Sequence, residues 1–149
     1  MSNSGNNNRD EILKSNTDLA IIHLNCRSLF SKFDEILTEM NLLKCSFDLM
    51  CFSETWLTPS TKDSLCIDGF QSYQLPRSDG RRGGGVGLFV NDNFNTKLVE
   101  NLTLSLPYIE CIFVEVVKDD CRFVVGVVYR PPDSNSDLFI DKINRIVVY

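Results

Sequence analysis

The stretch Phe47-Asp48-Leu49-Met50-Cys51-Phe52-Ser53-Glu54-Thr55-Trp56-Leu57 decides the fold class, because a short apolar run passes directly into a polar cluster. Phe47 to Phe52 reads as a buried strand. In an α/β fold, a polar residue just beyond the C-terminal end of such a strand points into the crevice where ligands are handled. Toward the N-terminus, Leu19 to Leu24 is a second apolar run, with two isoleucines, and it ends in Asn25-Cys26-Arg27-Ser28-Leu29. Between the two runs, Phe33, Ile36, Leu37, Met40 and Leu43 recur at spacings of three and four. This spacing predicts an amphipathic helix over Ser31 to Lys44, with Ser31 and Asp34 as its capping box. Strand, helix and strand together form a βαβ unit with polar residues at the exit of both strands.

Toward the C-terminus the pattern is mostly β. Gly69 to Leu75 reads as a weaker strand, and Pro76 to Gly85 as a loop rich in arginine and glycine. Val86 to Val90 and Thr96 to Glu100 are expected to pair across Asn91-Asp92-Asn93, whose residue types favour turns. Ile109 to Val117 and Arg122 to Tyr129 are β-branched runs around Lys118-Asp119-Asp120 and read as a hairpin. Tyr129-Arg130-Pro131-Pro132 is the third polar cluster to follow an apolar run. A final helix, capped near Ser134, carries Phe139, Ile143, Ile146 and Val147 on one face. The sequence has no internal repeat and no second domain; residues 1–17 are expected as a disordered polar N-terminus and 18–149 as one incomplete domain.

At 149 residues, 43% hydrophobic and 10% aromatic, the chain can bury a core of ordinary size. A net charge of −5 argues against a free-standing nucleic-acid binder with a basic face, so any DNA contact must use local arginines or parts outside the chain. Met1 to Asn16 is Asn/Ser-rich without an apolar h-region, and no stretch approaches the length of a membrane span. Cys26, Cys45, Cys51, Cys66, Cys111 and Cys121 show no C-x-x-C spacing and have one histidine to join them, which argues against zinc. Several lie in apolar runs, where reduced cysteine acts as a small core residue. A reducing compartment, cytoplasm or nucleus, is the expectation.

Hydrolysis of a phosphodiester needs an activated water, neutralised phosphoryl oxygens and a stabilised leaving oxygen. Glu54 has the right type and place to ligate Mg²⁺, which favours one or two carboxylates plus water and phosphate. Taken alone, it reads first as a solvated strand-end carboxylate, and only the flanking Trp56 and the two companion clusters favour the ligand. Asn25 could orient a phosphate through its amide, or serve as a turn residue. Tyr129 could donate to a phosphate oxygen, or anchor the turn at Pro131-Pro132. Arg81, Arg82 and Gly83-Gly84-Gly85 lack the spacing of a phosphate loop and precede a strand, so the glycines read as a tight strand entry and the arginines mainly as solvated charge. His23, inside the first apolar run, reads as structural.

The order and wording of the three clusters resemble the endonuclease/exonuclease/phosphatase superfamily, specifically the endonuclease domain of non-LTR retrotransposons, where Asn-x-Arg-Ser-Leu, Ser/Thr-Glu-Thr-Trp-Leu, a Gly-rich stretch and Tyr-Arg-Pro-Pro recur. The resemblance runs from about Leu19 to Pro132 and covers the N-terminal part of that domain. It implies a partial four-layer α/β sandwich, two β-sheets flanked by helices, with the C-terminal part missing and the second sheet largely supplied by later sequence. It further implies a DNA-nicking phosphodiesterase that uses Mg²⁺, or Mn²⁺, with Glu54 as metal ligand, Asn25 and Tyr129 as further site residues, and a reverse-transcriptase region downstream. Arg27 departs from the repair-type members, which carry an aspartate there, and agrees with the retrotransposon branch. The family's Asp-x-Asn and Ser-Asp-His blocks do not occur after Pro132, and Asp137 and Asp141 fall on the final helix without that context. The isolated chain is therefore expected to be inactive or nearly so. A non-catalytic interaction module, or a truncated product without function, is the alternative, and within the superfamily a phosphoinositide or sphingolipid head group is the alternative substrate.

Overall fold

The computed structural model describes residues 19–43 and 45–147. The expected polar N-terminus lies outside the described residues, as do the last two residues of the expected final helix. The βαβ unit forms as β1 (Ile21–Asn25), α1 (Leu29–Leu42) and β2 (Leu49–Ser53), with β1 and β2 parallel. β3 (Phe70–Leu75) and β4 (Val86–Asn91) complete the first sheet in the order β1-β2-β4-β3. The second sheet holds β5 (Asn95–Leu98), β6 (Leu104–Leu106), β7 (Ile109–Lys118) and β8 (Cys121–Tyr129). β7 is its spine, with β5 and β6 end to end along one side and β8 along the other. α2 (Ser136–Val147) follows.

Two apolar cores follow from the two-residue period of the strands. Leu49 and Cys51 of β2 and Val86, Leu88 and Val90 of β4 face the second sheet, where they meet Ile112, Val114 and Val116 of β7 and Val127 of β8. The alternate residues Met50, Phe52 and Phe89 face the other way and pack with Leu29 and Met40 of α1. The first sheet is therefore covered on both sides, which explains why every residue of β2 is buried. Lys142 of α2 lies close enough to Cys111, on the outward side of β7, to act on its thiol electrostatically. The layers run helix, sheet, sheet, helix.

Four details correct the sequence expectations. The Ser31 to Asp34 capping box does not form: α1 begins at Leu29, and its N-cap Ser28 makes no side-chain cap bond. The helix entry is fixed by tertiary contact instead, with the Ser28 and Leu29 N–H groups donating to the Glu54 and Thr55 carbonyls at 2.9 and 2.8 Å. β4 does not pair with β5. Both sides of β4 are taken by β2 and β3, so the Asn91 to Phe94 turn carries the chain to the other sheet, where β5 pairs with β7. The second sheet already has four strands in this chain rather than awaiting later sequence. In α2 the cap lies near Ser134 as expected, at Asn135, whose Oδ1 accepts the Asp137 and Leu138 N–H groups, but Val147 leaves the half-buried face at 77% exposure.

β1 and β8 are edge strands on the same side of the sandwich, β8 crossing over β2 and β4. Ile21 is 50% exposed although it shares a face with the buried Leu49 and Cys51, in keeping with β8 crossing mainly over β2 and β4. The stability of the described fold is concentrated further in. Phe89 is fully buried, edge-to-face on Phe52 at 5.9 Å and 6.2 Å from Phe33. Phe89→Ala is expected to cost about 3–5 kcal/mol, whereas Phe30→Ala, at a residue 58% exposed, should stay within about 0.5 kcal/mol. Urea unfolding midpoints of the two variants check this difference.

Candidate active site

The three polar clusters meet at one end of the sandwich, because β1, β2 and β8 deliver their C-termini there. Glu54 leaves β2 in the left-handed region with φ 57°, and Trp56 repeats this at φ 55°. For non-glycine residues that conformation costs about 1–2 kcal/mol each. The cost is offset by a dense set of backbone bonds. The Glu54 carbonyl accepts from Ser28, and the Thr55 and Trp56 N–H groups donate to Gly85 and Gly84 carbonyls at 3.2 and 2.9 Å. Strain held this way at a strand exit fixes the direction of a side chain.

The side chain so fixed is the Glu54 carboxylate, half-buried at the mouth of the two sheets. Its Oε1 accepts from the Tyr129 hydroxyl, and its Oε2 accepts from the Trp56 indole Nε1 and, at 3.2 Å, from the Gly84 N–H. Glu54 and Tyr129 are thus brought together although 75 residues separate them. Asn25 lies at the same level, in register with Ser53, but it is exposed and its amide is bonded to neither. His23 faces the same side and its Nε2 is 3.3 Å from Ser53 Oγ.

The glycine-rich loop contributes more than a strand entry. Arg82 stacks over the Trp56 ring at 4.9 Å, a cation–π contact rather than a purely solvated charge. Arg81 pairs with Asp79 at 2.6 Å and holds that carboxyl below its usual range. Behind the mouth, Arg77 Nε reaches Glu110 Oε1 at 2.5 Å, and the Gly85 N–H reaches Glu110 Oε2 at 2.5 Å. The sequence reading passed over Arg77 and Glu110. The signal was present, since Glu110 occupies the inward phase of a strand whose other inward residues are Ile112, Val114 and Val116.

As a metal site the mouth offers one carboxylate, Glu54; among the described residues no group of three or more histidine, cysteine or acidic side chains forms a closed cage. A carboxylate has about four acceptor positions, of which the three donors use three. The acceptor position left over could take a hard cation held otherwise by water and phosphate, a mode that Mg²⁺ commonly uses.

No family model matches the chain, and no curated protein matches it. Among solved structures, the endonuclease domain of TRAS1, a telomere-specific non-LTR retrotransposon, superposes with a TM-score of 0.63 at 12% sequence identity. The match covers 86% of this chain and 53% of that one. The chain has an endonuclease-type fold. It spans about half the length of the TRAS1 domain it matches. Among the described residues no helix is long and apolar enough to cross a membrane.

The cysteines report on the packing around this site. Cys26 is buried beside it, with its thiol 3.4 and 3.6 Å from the Ser53 and Glu54 carbonyls. Burial pushes the thiols of Cys26, Cys51 and Cys111 up from 9.0 to about 11. Cys45, Cys66 and Cys121 are exposed. Thiol labelling at pH 8 is expected to show three fast cysteines and three that react only on unfolding. The raised values also set a sign: the fold favours the protonated thiols, so their contribution is intact below pH 9 and is lost as the pH rises through about 11. Thermal melts between pH 8 and 11 should therefore show falling stability.

Proposed function

We propose that this chain is the N-terminal half of a divalent-metal-dependent endonuclease that nicks DNA by phosphodiester hydrolysis. The observation that carries the reading is the Glu54 carboxylate, held on a strained turn and fixed by donors from both sheets, at the mouth where Tyr129 ends its strand. The similarity to the TRAS1 endonuclease domain supports DNA as the substrate. Glu54 would hold Mg²⁺, with Mn²⁺ as its substitute, and the cation supplies neutralisation of charge on the phosphoryl oxygens. Tyr129 would turn its hydroxyl from Glu54 toward a non-bridging oxygen, where charge accumulates during displacement. Asn25, exposed at the rim, would orient the phosphate. Arg82 and Arg27 would meet the nucleic-acid backbone locally, in keeping with a chain whose net charge is −5.

A second acid and a histidine base do not join Glu54 among the described residues. They would come from additional sequence, as would the reverse-transcriptase region of such an element. Loss of a general base commonly costs a factor of about 10²–10⁴, so the chain alone would nick DNA slowly or not at all. A non-catalytic interaction module is the second reading, favoured by Ile21 and Val124, exposed at 50% and 52% on two of the edge strands, β1 and β8.

Trp56 is the single tryptophan of the chain and donates to Glu54, so it reports directly on the metal. Paramagnetic Mn²⁺ is expected to quench its fluorescence saturably, Mg²⁺ to compete, and Glu54→Gln to weaken the midpoint at least about tenfold. Equal quenching of the wild type and Glu54→Gln would remove the metal reading and leave the interaction module. Plasmid nicking by the wild type that disappears in Glu54→Gln would overturn the expected inactivity while confirming the site.

A further inference from the structure

Glu110 is 1% exposed on the inward face of β7, otherwise occupied by Ile112, Val114 and Val116. A carboxylate in that position is tolerated only when paired and hydrogen-bonded. Arg77 supplies the counter-charge through Nε at 2.5 Å, with a side chain itself only 12% exposed. If joining the sheets were the whole role of this pair, an apolar pair of similar volume would serve as well or better. The surroundings indicate a second role. The Arg77 guanidinium lies against Gly84, where a Cβ would sit 2.3 Å from one of its terminal nitrogens. The next residue, Gly85, donates its N–H to Glu110 Oε2, and a Cβ there would be 2.5 Å from Thr55 Oγ1.

The two consecutive amides therefore point to two different carboxylates, Gly85 to the buried Glu110 and Gly84 to Glu54 at the mouth. Both glycines are left-handed, at φ 67° and 82°, which other residues adopt only with strain. A second route joins the same groups. Tyr129, which donates to Glu54 Oε1, is the cross-strand partner of Glu110 in the β7–β8 ladder. Two of the three donors that aim the Glu54 carboxylate are thus set by the position of Glu110.

We propose that Glu110 and Arg77 are positioning residues: through the Gly84-Gly85 strap they hold the Glu54 carboxylate in the orientation that accepts the metal. The inference rests on Glu54 being the metal ligand, and the test separates the two claims. Glu110→Gln keeps the size of the side chain and an oxygen for Gly85 but removes the charge that holds Arg77. It is expected to stay folded, to displace the Gly84 amide and Trp56 indole resonances in the metal-free nuclear magnetic resonance spectrum, and to weaken the Mn²⁺ quenching midpoint by about 10–100-fold. Arg77→Lys should recover more of both signals than Arg77→Met. Should a single variant leave an unpaired buried charge and unfold, the double variant Arg77→Met/Glu110→Met removes both charges at once. In a folded double variant, displaced Gly84 and Trp56 resonances support the proposal. Unchanged resonances in a folded double variant or Glu110→Gln overturn it. If the wild type fails to bind Mn²⁺, the metal reading falls, and the metal-free resonances still decide whether Arg77 and Glu110 position Glu54.

Discussion

The hydrogen bonds to the Glu54 carboxylate are the point on which the arrangement of this end of the molecule turns. Tyr129 reaches it from the second sheet, and Trp56 and Gly84 reach it from the loops of the first. Apolar packing between the sheets is non-directional, and it would tolerate small sliding of one sheet over the other. Directional bonds at the rim do not. A carboxylate bonded on both oxygens from both sheets fixes their register where the polar strand ends converge. The backbone strain at Glu54 and Trp56 is the counterpart of this constraint, because an unstrained exit from β2 would carry the side chain elsewhere.

How much of this was legible in the sequence depended on how local the cause was. The βαβ unit, the β7–β8 hairpin and the buried character of β2 follow from periodicity and residue type, and the fold reproduces them. The start of α1 did not follow, because Ser31 and Asp34 offer a good local cap while the actual entry is set by bonds from Ser28 and Leu29 to residues after β2. β4 and β5 gave a similar difficulty. A turn-forming Asn-Asp-Asn segment looks the same whether it folds a strand back on its neighbour or passes the chain between sheets. Only the saturation of β4 by β2 and β3 decides between these outcomes.

The site shows the same division. Glu54 and Tyr129 stood out because each follows an apolar run and carries a recognisable motif, and the structure places them in contact. Arg77 and Glu110 lie in no motif. Their relation spans 33 residues and is visible only once the loop after β3 is laid against β7. Glu110 could still have been singled out, since a charged residue in the inward phase of an apolar strand must have a partner. The partner itself could not have been named, because Arg77, Arg81 and Arg82 are equivalent in composition. The fold gives them three different contacts: a buried carboxylate, an exposed aspartate and an indole face.

That division of labour among three arginines bears on the proposed DNA substrate, which an acidic chain would have to approach against its own net charge. Net charge of −5 opposes long-range attraction. Arg77 is neutralised by Glu110 and contributes little field outside, and Arg81 is held by Asp79. Arg82 alone of the three is engaged by a neutral ring, an interaction worth about 0.5–1 kcal/mol at an exposed site. It can exchange that contact for a phosphate at smaller cost than breaking either ion pair. Selectivity for a bound phosphate at this mouth would thus come from one exposed guanidinium stacked on a neutral ring, beside the cation proposed on Glu54, rather than from a basic surface, and it would act only at short range.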